Sequence, residues 1–138
     1  MLPATMDAQQ ALADLTEISS QIQAAVVFDE QGKVAASTLE DDARAGELAR
    51  GAARLLDEAA AVKIGDGAPL TQLEAATPEG SVFVVREDKT RIAATTAPEP
   101  AVGLVFYDLK SALRQIHAEE PKKTAAKRAT TAKKGNAT

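Results

Sequence analysis

The sequence predicts an α/β domain of the α+β kind with a basic tail behind it, and three observations carry that prediction. Apolar residues recur at spacings of three and four in three stretches, near the beginning, in the middle and before the tail. Between these stretches the period drops to two, and glycine-bearing turns separate the runs. Charge then divides the chain: residues 1–118 carry 10 Lys and Arg against 18 Asp and Glu, while residues 119–138 carry 6 against 2. The 138 residues suit one domain, 1–118, and one tail, 119–138, rather than two domains.

From Asp7 to Ser19 the residues Ala8, Leu12, Leu15 and Ile18 form one helical stripe, with Asp7 placed as N-cap and Gln10 three residues later to close a capping box. From Ile22 to Asp29 the period becomes two: Ile22, Ala24, Val26 and Phe28 share one face. Ala25 and Val27 make the other face apolar as well, so this strand is expected to be covered on both sides. "DEQGK" follows, and Gly32 supplies the positive φ of a hairpin turn. A phosphate-cradling loop would need more glycines and a helix starting directly after it, whereas "KVAAS" is short and extended.

A long helix is predicted from about Asp41 to Val62, with the acidic residues of "TLEDD" at its positive end. Leu48, Ala52, Leu55, Ala59 and Val62 read as its core stripe. Beside it runs a second stripe of Gly46, Ala49, Ala53 and Ala60, with Leu56 among them. Two readings of that second stripe stand: alanine is the best helix former, or small side chains admit a second helix at close range. Gly65, Gly67 and Pro69 end the helix. Strands follow at Leu70–Thr77, Ser81–Glu87 and Lys89–Thr96, the first two joined by "TPEGS". "SVFVV" reads as a central strand, and "LTQLEAAT", interrupted by Gln72 and Glu74, as an edge strand. A last helix is predicted over Pro100–His117 from Val102, Val105, Leu109, Ala112 and Ile116, flanked by Phe106 and Leu113.

Composition removes several function classes. The chain has no Cys, which excludes disulfides and thiolate chemistry. Aromatic content of 3% argues against a base-stacking platform. No Walker-type loop, GxGxxG, HExxH or GxSxG occurs, so no cofactor is expected. "MLPATMDAQQ" does not read as a secretory signal and no apolar run is long enough to span a membrane, which makes a cytoplasmic location the default. His117 fits a cation at a helix C-terminus better than a catalytic base. Asp41, Asp42, Glu87 and Asp88 fit capping and turn roles, and Tyr107 a half-buried helix position. The tail cations Lys122, Lys123, Lys127, Arg128, Lys133 and Lys134 read either as a solubilising segment or as a binder of nucleic-acid or membrane phosphates. With no large apolar residue, the tail is expected to be disordered.

The "VVFDEQGKVAAS" hairpin leading into an alanine-rich helix, with "VGLVFYDLKSAL" after the last strand, resembles the Roadblock family of dynein-light-chain-like proteins, in particular its bacterial branch associated with Ras-like small GTPases. The resemblance spans about Asp7 to His117. It implies a five-stranded antiparallel sheet between the long helix on one face and the two terminal helices on the other, as in Roadblock and profilin-like folds. It also implies a homodimer in which Gly46, Ala49, Ala53, Leu56 and Ala60 face their copies while Leu70, Gln72 and Glu74 lie on a shared sheet edge. The implied function is a non-enzymatic regulator or adaptor of a small GTPase. A tether held by its tail to an anionic polymer or membrane is the alternative. Arg50 or Arg54 acting on a phosphoryl group is the remote variant, and pairing with Asp57, Glu58 or the other subunit the expected one.

Overall fold

The computed structural model describes residues 3–62 and 65–119. The chain enters through α1 (Pro3–Ile18). Proline at the first helical position loses no hydrogen bond, so the helix starts there and Asp7 lies inside it instead of capping it. Gln10 closes no box either: its Nε2 donates to Asp14 Oδ1 at 3.0 Å, one turn on. Ala8, Ala11, Leu12 and Leu15 are buried, whereas Ile18 at the last turn is 74% exposed.

β1 (Ile22–Phe28) and β2 (Val34–Ser37) form the expected hairpin. Asp29 builds its turn. Its amide donates to the Lys33 carbonyl at 3.0 Å, and its Oδ1 accepts from the amides of Gln31 and Lys33, both at 2.9 Å. Gly32 completes it with φ 84°. One detail departs from the period-two pattern: the register of β1 shifts between Ile22 and Ala24. A one-residue slip reverses every face before it, so Ile22 joins Ala25 and Val27 on one side, while Val26 and Phe28 point to the other.

α2 (Asp42–Ala60) starts at Asp41, whose Oδ1 accepts from the amides of Ala43 (2.9 Å) and Arg44 (3.4 Å). It ends two residues before Val62. β3 (Gln72–Thr77), β4 (Gly80–Glu87) and β5 (Thr90–Thr96) form the meander, with the Asp88 turn at φ 59°. Gly80 has φ 153°, and a Cβ there would collide with the Thr96 carbonyl oxygen, so the "TPEGS" turn requires glycine. α3 (Val102–Glu119) begins two residues later than the spacing predicts. Glu99 takes a positive φ of 58°, and the Ala101 amide donates to Gln21 Oε1 at 3.0 Å, which holds Pro100 outside the helix.

All strand pairs are antiparallel, in the order β2-β1-β5-β4-β3. α1 and α3 cover one face over a core of Leu12, Leu15, Val27, Phe83, Ile92, Leu109 and Leu113. α2 covers the other over Val26, Phe28, Val84 and Ala93. The layering agrees with the sequence reading; β4 is an interior strand as expected, although β5 and not β4 takes the middle of the sheet. No helix among the described residues is long and apolar enough to cross a membrane. Residues Pro121–Thr138, and with them Lys122, Lys123, Lys127, Arg128, Lys133 and Lys134, lie outside the described residues, as does the His117 side chain.

Candidate functional site

The buried line of α2 draws on both stripes of the sequence reading: Ala52 of the expected core stripe is buried, but Leu55 and Val62 are not, and Ala49 and Leu56 of the second stripe take their place. Ala45, Ala49, Ala52 and Leu56 are buried against the sheet, because small side chains let the helix lie close to it. The bulkier stripe turns away: Leu55 is 38% and Val62 63% exposed, while Leu48 and Ala59 are half-buried. Ala49 and Leu56 therefore belong to the chain's own core. Of the remaining expected contact residues on α2, Ala60 is exposed and Ala53 and Gly46 are half-buried. Gly46 is covered by Arg50, whose Nη1 lies 3.0 Å from where a Gly46 Cβ would stand. The Arg50 stem also packs toward Gly32, with Cγ 3.6 Å from the corresponding position there. Neither Arg50 nor Arg54 pairs with Asp57 or Glu58 among the described residues, since Arg50 lies back over its own helix instead.

The sheet continues this uncovered side. Leu70, Leu73 and Val82 are only partly buried at the margin of the α2 core. β3 is an edge strand, as expected. The Arg86 amide donates to the Thr71 carbonyl at 2.8 Å, which makes Thr71 and Arg86 a hydrogen-bonded pair. By alternation Leu73, Ala75 and Thr77 direct their main-chain groups to β4, while Gln72, Glu74 and Ala76 direct theirs outward. Gln72 and Glu74 thus sit where a further strand would bond. The opposite edge is different: β2 is short, and Gln9 of α1 donates its Nε2 to the Ser37 carbonyl at 3.0 Å.

Two grooves lie elsewhere. A broad open one of about 660 Å³ runs along β4 and α3 and combines Arg86, Lys110 and Arg114 with Glu87 and Asp88. A smaller one of about 250 Å³ lies between α1 and α3 and includes Tyr107 and Asp108. Tyr107 is 63% exposed, more than a half-buried position implies. Asp108 is buried, and the sequence reading passed over it although the signal was present: it falls between Val105 and Leu109 on the buried stripe of α3. Arg91, opposite Arg86 and Phe28 across the sheet, is likewise buried, and its Nη1 has no hydrogen-bond partner among the described residues. Among the described residues no group of three or more His, Asp or Glu side chains is placed to hold a metal ion.

No protein-family model and no curated protein matches the sequence. Solved structures do match the fold. The Roadblock/LC7 domain from Streptomyces avermitilis superposes with a TM-score of 0.72 at 18% identity, covering 80% of this chain and 94% of that one. MglB of Myxococcus xanthus gives 0.67 at 13% identity, covering 86% and 90%. An MglB with tetrameric arrangement gives 0.64 at 15% identity, covering 87% and 93%. At such identities the likeness is one of architecture, and it agrees with the helix–hairpin–helix–meander–helix order traced above: the chain has the Roadblock/LC7 fold.

Proposed function

We propose that the chain is a homodimeric, non-enzymatic regulator or adaptor of a Ras-like small GTPase, acting in the cytoplasm. The observation that carries this reading is the uncovered side of α2, where Leu55 is partly and Val62 largely exposed, on the same face of the sheet as half-buried Leu73 and Val82 and with β3 as its edge strand. An apolar helix side next to an unpaired edge suits a second copy of the same chain, which fills both at once. The contact set differs from the one the resemblance implied: Leu55, Ala59 and Val62 replace Ala49 and Leu56, Gln72 and Glu74 lie on the β3 edge, and Leu70 precedes that strand instead of belonging to it. The GTPase enters through the family resemblance, and the tetrameric MglB supports self-association as a habit of the fold.

The test is to purify the full-length chain with the small GTPases of its source, identify those retained, and follow nucleotide hydrolysis and exchange. A stable complex with altered turnover supports the reading. No complex and unaltered rates sink it. The charge division between residues 1–118 and 119–138 favours a second reading, a tether to an anionic polymer or membrane. In that case removing Pro121–Thr138 abolishes attachment, and the binding of the intact chain falls steeply with salt.

A further inference from the structure

The groove between α1 and α3 has an apolar floor of Ala11, Leu15 and Ala112 and a rim of Ile18 and Tyr107, both largely in solvent. Two carboxylates line it. Asp14 is satisfied: its Oδ1 accepts from Gln10 Nε2 at 3.0 Å and its Oδ2 from Gln115 Nε2 at 3.2 Å. Asp108 is not. It is only 8% exposed, it lines the groove, and no hydrogen bond or ion pair reaches its side chain among the described residues. Its carboxylate oxygens keep some contact with water at the groove, so an incoming donor can reach them. A cation with several N–H groups suits such an acceptor, and the apolar rim fits one carried on a long methylene stem.

We propose that this groove is the docking site of the chain's own C-terminal segment, residues 120–138, with a Lys or Arg stem lying across Ile18 and Tyr107 and its charge on Asp108. Charge complementarity is the first argument: the segment holds Lys122, Lys123, Lys127, Arg128, Lys133 and Lys134 against a single Glu120. Its composition is the second. It has no large apolar residue to bury, so its contacts are those of cation stems, salt bridges and a cation over the Tyr107 ring. Reach is the third. Asp108 lies about 16 Å back along α3 from Glu119, and the nine residues from Glu119 to Arg128 span up to about 30 Å. Attachment to α3 also raises the local concentration of the segment to the millimolar range, so a weak contact suffices. The consequence is competition: a tail lying in the groove is withheld from any anionic partner, and a polyanion that captures the tail empties the groove.

Tyr107 reports this directly, because the chain has one Tyr and no Trp. Acrylamide quenching of tyrosine emission is compared in the full chain, in a full-length variant with the six tail cations changed to Gln, and in Asp108→Asn. Covering the ring with a cation stem lowers quenching by about twofold in the parent at low salt relative to both variants. Raising the salt to about 1 M, where the Debye length is near 3 Å, brings the parent to the level of the tail variant and leaves the variant unmoved. Heparin added at low salt does the same. Circular dichroism melting of all three chains separates loss of docking from loss of fold, and the tail variant carries the test if Asp108→Asn does not fold. Equal quenching in the parent and the tail variant overturns the proposal. So does protection of Tyr107 that rises with protein concentration, which would place the tail on another copy.

Discussion

The two faces of the sheet are built on different principles. Under α1 and α3 the core is made of large side chains: Phe83 meets Phe106 edge-on at 5.0 Å and 76°, with Leu12, Ile92, Leu109 and Leu113 around them. Two helices share the work of covering that face, and the grooves along β4 and α3 and between α1 and α3 mark where their cover ends. Under α2 the core is mostly alanine on the helix side, with Leu56 the one large residue. A single helix lying close to a sheet covers the β3 edge only in part, and Leu70, Leu73 and Val82 stay partly uncovered. The first face is where the chain stores stability. The second keeps apolar surface in reserve, and it is there that a partner gains most by binding.

The contrast breaks most visibly at Phe83. Phe83→Ala removes a fully buried ring from the large-residue face and its edge-on contact with Phe106. The expected loss is about 3–5 kcal/mol, measured by denaturant unfolding, enough to leave a domain of this size marginal. A loss under about 1 kcal/mol would mean that this face is not the main store of stability.

Ala49 tests the opposite face by overfilling. Its methyl group is fully buried between α2 and the sheet. Ala49→Leu pushes the helix outward and costs about 1–3 kcal/mol. Were the stripe of Gly46, Ala49 and Ala53 the face presented to a second copy, the same change would leave chain stability near that of the parent and alter only assembly. The two outcomes separate the observed orientation of α2 from the one its sequence suggests.

Much of this was legible beforehand, and the exceptions have physical causes. The two hairpin turns, the edge position of β3 and the helical reading of "VGLVFYDLKSAL" follow from local chemistry: positive-φ glycines, interrupting polar residues and a persistent 3.6 period. Which stripe of α2 faces inward does not follow from hydrophobicity, since both are apolar. The choice is made by how closely the helix must approach the sheet, a tertiary property that favours alanine over leucine. Period two alone places Ile22 on the wrong face, because a register shift has no signature in the residues beside it. Asp108 gives no clear signal of a site in the sequence, because a charged residue on a buried stripe gains meaning only with the groove it lines.

The smallest effects on chain stability, and the most telling for the uncovered side, are expected at Leu55 and Ala76. Leu55→Glu replaces a partly exposed side chain, so unfolding shifts by no more than about 0.5 kcal/mol. If a second copy covers this side, the carboxylate is buried there without a partner, and sedimentation shows a monomer at concentrations where the parent is a dimer. Ala76→Pro acts on the neighbouring edge. Ala76 directs its main-chain groups away from β4, so proline takes no hydrogen bond from the sheet yet removes the N–H that a further strand would use. Dissociation by both changes points to one interface spanning the α2 rim and the β3 edge. Dissociation by Leu55→Glu alone leaves the helix pair and removes the continuous sheet. A parent that sediments as a monomer at every concentration frees both surfaces for a partner of another kind.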